Sequence, residues 1–359
     1  MKTHIYSLFI FLFLATSINA QELRDSISNE PIPFVEIYSD QGDLLGRTDY
    51  SGKIGNQLFQ KILDSKISNI AFVQSFYQSK EIAVETFKNN QTVKLSPLVL
   101  SLLEVVVQPN SDYKNLLLTA YFRSLQIDKV ENRPHYYMDG FVKFYINQKT
   151  GKIKTVFICN HSLENKNITH FKETKTVFIG IKSCGVPDLL NIPQYSTLSK
   201  KYSLATEMDS IIIADKKQVE KTMGRIISKN NNTELSLNLY PEEQSFFGIK
   251  GIYNDHNVFA VYEGINLTDY SLNDLVYFKE SKSVEAKKKE KSQKADVIYE
   301  IFVVDKEYTN EDFKGNFGYY WFVPSGSVEI CNKEVDNVYF QPLPSSLSEY
   351  MKNHLTEYK

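Results

Sequence analysis

His161 and Glu164 stand in the stretch HSLE, a His-x-x-Glu spacing in which an imidazole nitrogen and a carboxylate oxygen could share a zinc ion. A working centre also needs a third ligand and a general base beside an open metal position. The nearest downstream histidines are His170 and His256, and neither stands in a comparable segment. The pair itself lies in CNHSLENKNITH, which reads as an exposed polar loop, so neither a metal site nor a cofactor is expected. A serine nucleophile would need a Gly-x-Ser-x-Gly elbow, which does not occur; PSGS around Ser325 has the composition of a turn. There is no Cys-x-x-Cys pair for redox relay and no Gly-rich loop to cradle phosphates. Glu242 and Glu243 adjoin Pro241 and read as solvated turn residues. One aromatic cluster remains, GYYWF at Gly318 to Phe322. A strand would put Tyr319 and Trp321 on one face, where they could stack on sugar rings or line an apolar groove, and Tyr320 and Phe322 on the other. Aromatic strand residues are chiefly packing residues, so a core role is expected first, with Tyr319 and Trp321 the candidate ligand contacts.

What must hold such residues is a chain of strands behind an export signal. Met1 to Ala20 has Lys2 in a short polar head, an apolar run from Ile5 to Ala15, and small residues ending at Ala20, so residues 1–20 read as a signal peptide cleaved before Gln21. No Cys stands at that point to carry a lipid. No later apolar run reaches the roughly 20 residues of a membrane-spanning helix, and the chain is too short for the largest plugged outer-membrane barrels. A soluble mature protein without a transmembrane segment is expected. The formal net charge of −2, with Lys and Arg spread along the chain, argues against a nucleic-acid partner. The 23 Tyr and 23 Phe give enough aromatic area for real cores. Cys159, Cys184 and Cys331 allow one disulfide at most, with the pairing left open.

Residues 21–108 alternate apolar and polar positions in short runs between turns, the pattern of an all-β sandwich. Val35 and Ile37 alternate with Phe34, Glu36 and Tyr38. SDQGD supplies a turn with Gly42 at positive φ, and TDYSGKI supplies another in which Asp49 bonds backbone amides ahead of Gly52. LEVVV, up to Val107, reads as a closing strand. The order PIPFVEI, GRTDYSGKI, NIAF and TVKLSPLVLSLLEVVV resembles the carboxypeptidase regulatory-like domain, a transthyretin-like seven-stranded sandwich common in secreted and outer-membrane proteins of Bacteroidetes. Where relatives carry an Ile-Gly-Tyr-like corner, this chain reads QSFYQSK, with Phe76 and Tyr77 and no Gly. The family's motifs here are structural and imply no chemistry. LLTAYFRS and YYMDGFVKFYI are similar to the segment that follows this sandwich in a group of exported proteins of the same phylum.

Residues 109–135 read as a linker and connector helix, because Leu116, Leu117, Ala120 and Leu125 fall close to helical spacing behind Ser111 or Asp112 as a cap. Residues 136–359 read as an antiparallel β domain, a curved sheet or half-barrel. In it NQKTGK turns a hairpin, and ELSLNLY, NVFAVYEGI, DLVYFKES, DVIYEIFVVDK and GYYWFVPSG are further strands. Between Lys279 and Lys294 seven Lys face three Glu, which reads as a charged hairpin loop, with binding to an anionic surface as the alternative. At the C-terminus Leu347, Tyr350, Met351 and Leu355 mark an amphipathic helix, capped by Ser345 or Ser346, that docks on the sheet. A mainly β fold is thus expected, serving a non-enzymatic binding or scaffold role in the periplasm or at the cell surface, with the sandwich as spacer or docking module. The partner would be an envelope protein, a glycan or an apolar ligand. Two rival roles are a carrier that holds an apolar ligand in the concave face of the C-terminal sheet, and a hydrolase of unfamiliar type.

Overall fold

The computed structural model describes residues 21–98, 112–168, 185–246, 249–311, 329–331 and 342–357. The chain is mainly β, with a large multi-stranded sheet and few helices. In the N-terminal segment β1 (Glu22–Asp25) pairs in parallel with β6 (Thr92–Leu95). A separate antiparallel sheet runs in the order β3 (Leu44–Arg47), β2 (Glu36–Ser39), β4 (Asn69–Val73), β5 (Lys80–Ala83). The turns form as their residue types dictate. Asp49 Oδ1 accepts the amides of Ser51 at 2.8 Å and Lys53 at 3.0 Å. Gly42 has φ of +82° and lies so close to the C-terminal helix that a Cβ would stand 3.0 Å from that of Tyr350.

A strand-only reading of this segment needs correction at two places. α1 (Asn56–Asp64) and α2 (Val84–Asn89) interrupt the strands. Leu58 and Ile62, four apart, lay α1 on a core of Leu23, Ile37, Ile54, Phe72 and Phe87. The other prediction, that one face of β2 meets a core, is exceeded, since all four of its residues are buried. Val35 and Ile37 point into that core, while Tyr38 packs with Ala71 and Val73 into a second cluster.

The large sheet is antiparallel apart from one pairing. Its order is β10 (Tyr202–Glu207), β11 (Ser210–Asp215), β12 (Thr222–Lys229), β13 (Asn232–Asn238), β15 (Ile249–Glu263), β16 (Leu275–Lys288), β17 (Lys291–Thr309), β7 (Asn115–Asp128), β8 (Arg133–Asn147), β9 (Ile153–Glu164), β18 (Glu329–Ile330). β14 (Glu242–Phe246) flanks β15, and β19 (Thr356–Glu357) flanks β9. The parallel exception is β18 on β9, beside the Cys159–Cys331 disulfide. The expected strands from ELSLNLY to DVIYEIFVVDK are present, and so is the hairpin turned by NQKTGK. GYYWF, with Tyr319 and Trp321, lies outside the described residues, as do Ser325, His170, Cys184 and the expected closing strand LEVVV.

The expected connector helix is instead β7, hydrogen-bonded to β17 on one side and β8 on the other. Leu116, Leu118, Ala120 and Phe122 enter the main core, while Tyr121, Leu125 and Ile127 pack on the opposite face. Burial on both faces makes a continuous apolar run, and such a run hides the period of two and admits a chance match to helical spacing. The Lys279–Lys294 segment is likewise not a loop. It is the paired ends of β16 and β17 around a two-residue turn at Lys289 and Glu290. Lys279 and Glu280 are 5% and 1% exposed, so charge alone did not keep that run at the surface.

α3 (Tyr195–Lys201) and a 3-10 turn at Leu189–Asn191 lie on the apolar face of the large sheet, contributing Leu189, Ile192 and Leu198 to its core. α4 (Ser345–His354) forms as predicted, although its N-cap is Pro344 and neither serine caps it. Leu347 and Met351 wedge between Tyr38, Leu44 and Val73 of the N-terminal sheet and Leu125, Tyr137 and Ile298 of the large one. Leu347→Ala removes a side chain that is wholly buried there. It should cost about 2–5 kcal/mol in urea unfolding, against well under ~1 kcal/mol for truncation of exposed Ile27.

Candidate functional site: a buried charge network at the seam

Successive strand residues point to opposite faces, so β7, β16 and β17 each turn one set of side chains toward the N-terminal strands. Arg123, Lys279 and Glu300 belong to that set, and all are at most 9% exposed. Arg123 Nε donates to Glu300 Oε2 at 2.8 Å, with Nη2 at 2.6 Å from the same oxygen. On Oε1, Ser75 donates its hydroxyl. Tyr277 OH is 2.7 Å from both that oxygen and Ser75 Oγ, so its single proton serves one of them. Lys279 Nζ lies 3.6 Å from Glu300 and 2.9 Å from Glu36 of β2. Arg47 of β3 approaches Glu36 at 3.6 Å, too far for a hydrogen bond. Burial by itself would raise the Glu300 pKa; the Arg123 guanidinium, then Lys279 and the two hydroxyls, overcome it and hold the carboxyl at about 2. A cavity of about 10 Å³, room for one water, is bordered by Glu36, Tyr38, Arg123, Tyr137 and Glu300 among others.

Two further contacts extend the seam. Phe76 stands edge-on to Tyr277, with ring centroids 4.8 Å apart at 86°, inside a cluster with Phe34, Tyr121, Phe259 and Phe302. Tyr77 donates its hydroxyl proton to Asp25 Oδ2 at 3.0 Å, and Lys229 of β12 reaches that carboxylate at 3.2 Å and the Tyr77 hydroxyl at 2.9 Å. Burial works against the Asp25 carboxylate, but the amides of Ile27 and Ser28, with Tyr77 and Lys229, keep its pKa below the ordinary value. Ser75, Phe76 and Tyr77 are consecutive. The QSFYQSK corner is thus among the parts of the N-terminal segment that dock on the large sheet.

At its outer end the network reaches His161. Asp139 Oδ2 accepts the hydroxyls of Tyr121 at 3.0 Å and Tyr137 at 3.1 Å, and Oδ1 lies 3.6 Å from His161 Nδ1. The Asp139 carboxylate, against partial burial, holds the imidazole pKa above its usual value. The ring is 43% exposed and 3.6 Å from that carboxylate, a partly accessible imidazole biased toward its protonated form. His161 and Glu164 stand on β9 rather than in a loop, and three residues apart on a strand they face opposite sides. Glu164 accepts from Tyr136 OH at 2.9 Å instead. Among the described residues no three His, Cys, Asp or Glu converge on a common metal position. Glu242 and Glu243 lie on the exposed strand β14 rather than in a turn, the latter paired with Lys250 at 2.7 Å.

On the opposite face of the sheet His256 Nε2, Lys282 Nζ and Asn191 Nδ2 lie 2.7, 3.0 and 3.4 Å from Glu280 Oε1, which ties the segment around Asn191 to β15 and β16. Sequence reasoning passed over Arg123 and Glu300 and placed Lys279 and Glu280 in a charged loop. The signal was present in AYFRSLQ, VYFKES and VIYEIF, where charges stand beside apolar residues and so must find partners when buried. No protein-family model and no characterised protein matches the chain.

Glu300 carries a folded-state pKa below its unfolded value of about 4.3, so its stabilisation is complete above that pH and is lost as pH falls toward about 2. Glu300→Gln should lower stability at pH 7 by about 3 kcal/mol, and the gap to wild type in denaturant titrations should close between pH ~4.5 and ~2. A gap that stays constant with pH would show that the carboxylate's charge contributes nothing. Lys229→Met leaves Asp25 buried without its cation and should cost about 3–5 kcal/mol, partly restored when Asp25→Asn is added.

Proposed function

We propose that this chain is an exported, non-enzymatic binding or scaffold protein of the bacterial envelope. Its N-terminal segment would be a transthyretin-like sandwich of the carboxypeptidase regulatory-like kind, joined to a curved antiparallel half-barrel. The observation that carries the reading is the use of the buried ionisable side chains at the seam. Glu36, Lys279, Arg123 and Glu300 spend their charges on one another across two sheets, and Asp25 and Lys229 do the same. Groups so paired hold two bodies in one orientation and are poorly free to serve a substrate. The sandwich then acts as a rigid part of the binding body rather than as a tethered spacer.

Export is supported by the residue 1–20 pattern and by the Cys159–Cys331 disulfide, a bond kept in oxidising compartments. Curvature is supported by one continuous apolar cluster that links Met223 and Ile226 of β12 with Phe144 and Ile146 of β8, across most of the width of the sheet. The same cluster weighs against the carrier. Leu189, Ile192 and Leu198 occupy the apolar face that a lipid chain would need. The Asp139–His161 pair is the feature that keeps a hydrolase in view, as an imidazole without a nucleophile placed beside it among the described residues.

Native mass spectrometry of the protein from Gln21, before and after organic extraction, separates these readings. A bare polypeptide mass in both spectra is expected for the scaffold. A bound mass lost on extraction would overturn it in favour of the carrier.

A further inference from the structure

The hairpin of β16 and β17 runs on past its neighbours. β7 pairs with β17 only from Ala295 onward, and β15 pairs with β16 only as far as Lys287. Lys288, Lys289, Glu290 and Lys291 therefore form a projecting end, with Lys289 at φ of +53° in the turn. Register places like charges opposite each other twice, Lys288 against Lys291 and Lys250 against Lys287. Directly opposed like charges destabilise a strand pair unless an anion lies close. Nearby carboxylates are already engaged: Glu243 with Lys250, Glu285 with Lys294 and Asp296 with Lys129. Glu290 is the carboxylate within the tip itself, and among the described residues the side chains of Lys287, Lys288 and Lys289 make no ion pair or hydrogen bond.

We propose that this hairpin end is a contact for the phosphate surface of an anionic lipid bilayer. Lys287 and Lys288 are neighbours on one strand and so point to opposite faces, and Lys289 sits in the turn between strands. A flat charged surface met end-on engages this collar as a whole, whereas a polymer laid along one face reaches only part of it. KKKEK, residues 287–291, holds no aromatic or aliphatic residue to insert, so the contact stays at headgroup level and is electrostatic. It would hold whether the chain scaffolds or carries.

The test is co-sedimentation of the full mature protein with sucrose-loaded vesicles of phosphatidylcholine, with and without phosphatidylglycerol. Binding is expected to the anionic vesicles at low ionic strength, to vanish in high salt, and to be absent from pure phosphatidylcholine. Each lysine is worth about fivefold in partitioning, so Lys287→Gln, Lys288→Gln and Lys289→Gln together should weaken binding about 100-fold. Lys287 and Lys289 are exposed and Lys288 is half-buried, so the fold should survive the change, which matching urea midpoints would verify. A triple variant that binds like wild type overturns the assignment, as does equal binding to the two vesicle types. Retention by soluble dextran sulfate without binding to anionic vesicles would also overturn it, with a polyanionic chain as the partner instead.

Discussion

A carboxylate taken out of water must be met by charge and hydrogen bonds, and Glu300 is the place where this constraint governs the most structure. Its partners come from β7, β16 and the Ser75 corner, elements far apart in sequence. Separating the N-terminal segment from the large sheet would strip Ser75 from Glu300, Glu36 from Lys279 and Asp25 from Lys229 in one movement. A charge left buried without its partner costs several kcal/mol, so a slide or partial opening that breaks these pairs without hydrating them loses all of them together. The two sheets are therefore expected to move as one body, with α4 wedged between them as an apolar counterpart to the ionic clamp.

The division of labour between charge and packing follows from their geometry. Apolar contacts such as Phe76 on Tyr277 favour closeness and tolerate sliding, because dispersion is weakly directional. The Arg123–Glu300 pair, with two guanidinium nitrogens on one oxygen, admits little displacement. Replacing such a group of ions by hydrophobes of the same shape can leave stability unchanged, so its contribution lies more in fixing orientation than in strength.

Much of this was legible in the residues. The Asp49 turn, the Gly42 turn, the NQKTGK hairpin and the terminal amphipathic helix each carry a local physical signal, and each forms. β7 was not legible because its neighbours bury both faces, which erases alternation. Nor were α1 and α2, whose short helical runs compete with a surrounding strand pattern. The candidate site was half legible. Isolated charges in AYFRSLQ and VIYEIF show that partners are needed, but pairing Arg123 with Glu300 depends on β17 lying beside β7, a contact between chain segments 177 residues apart. His161 was read wrongly as a loop residue, because polar side chains at a sheet's exposed margin look like a loop in sequence.

The same two strands carry both the clamp and the projecting end. Lys279 and Glu300 sit midway along β16 and β17, and Lys288 and Lys291 close the hairpin about 30 Å away at roughly 3.3 Å per residue. A hairpin that continuous is stiff over its paired length. Because its middle is locked to the N-terminal segment and its end stands clear of neighbouring strands, whatever touches the end is held at a fixed distance and angle from the seam. A body built this way transmits position rather than conformation, which is the property a scaffold requires and a ligand-gated carrier does not.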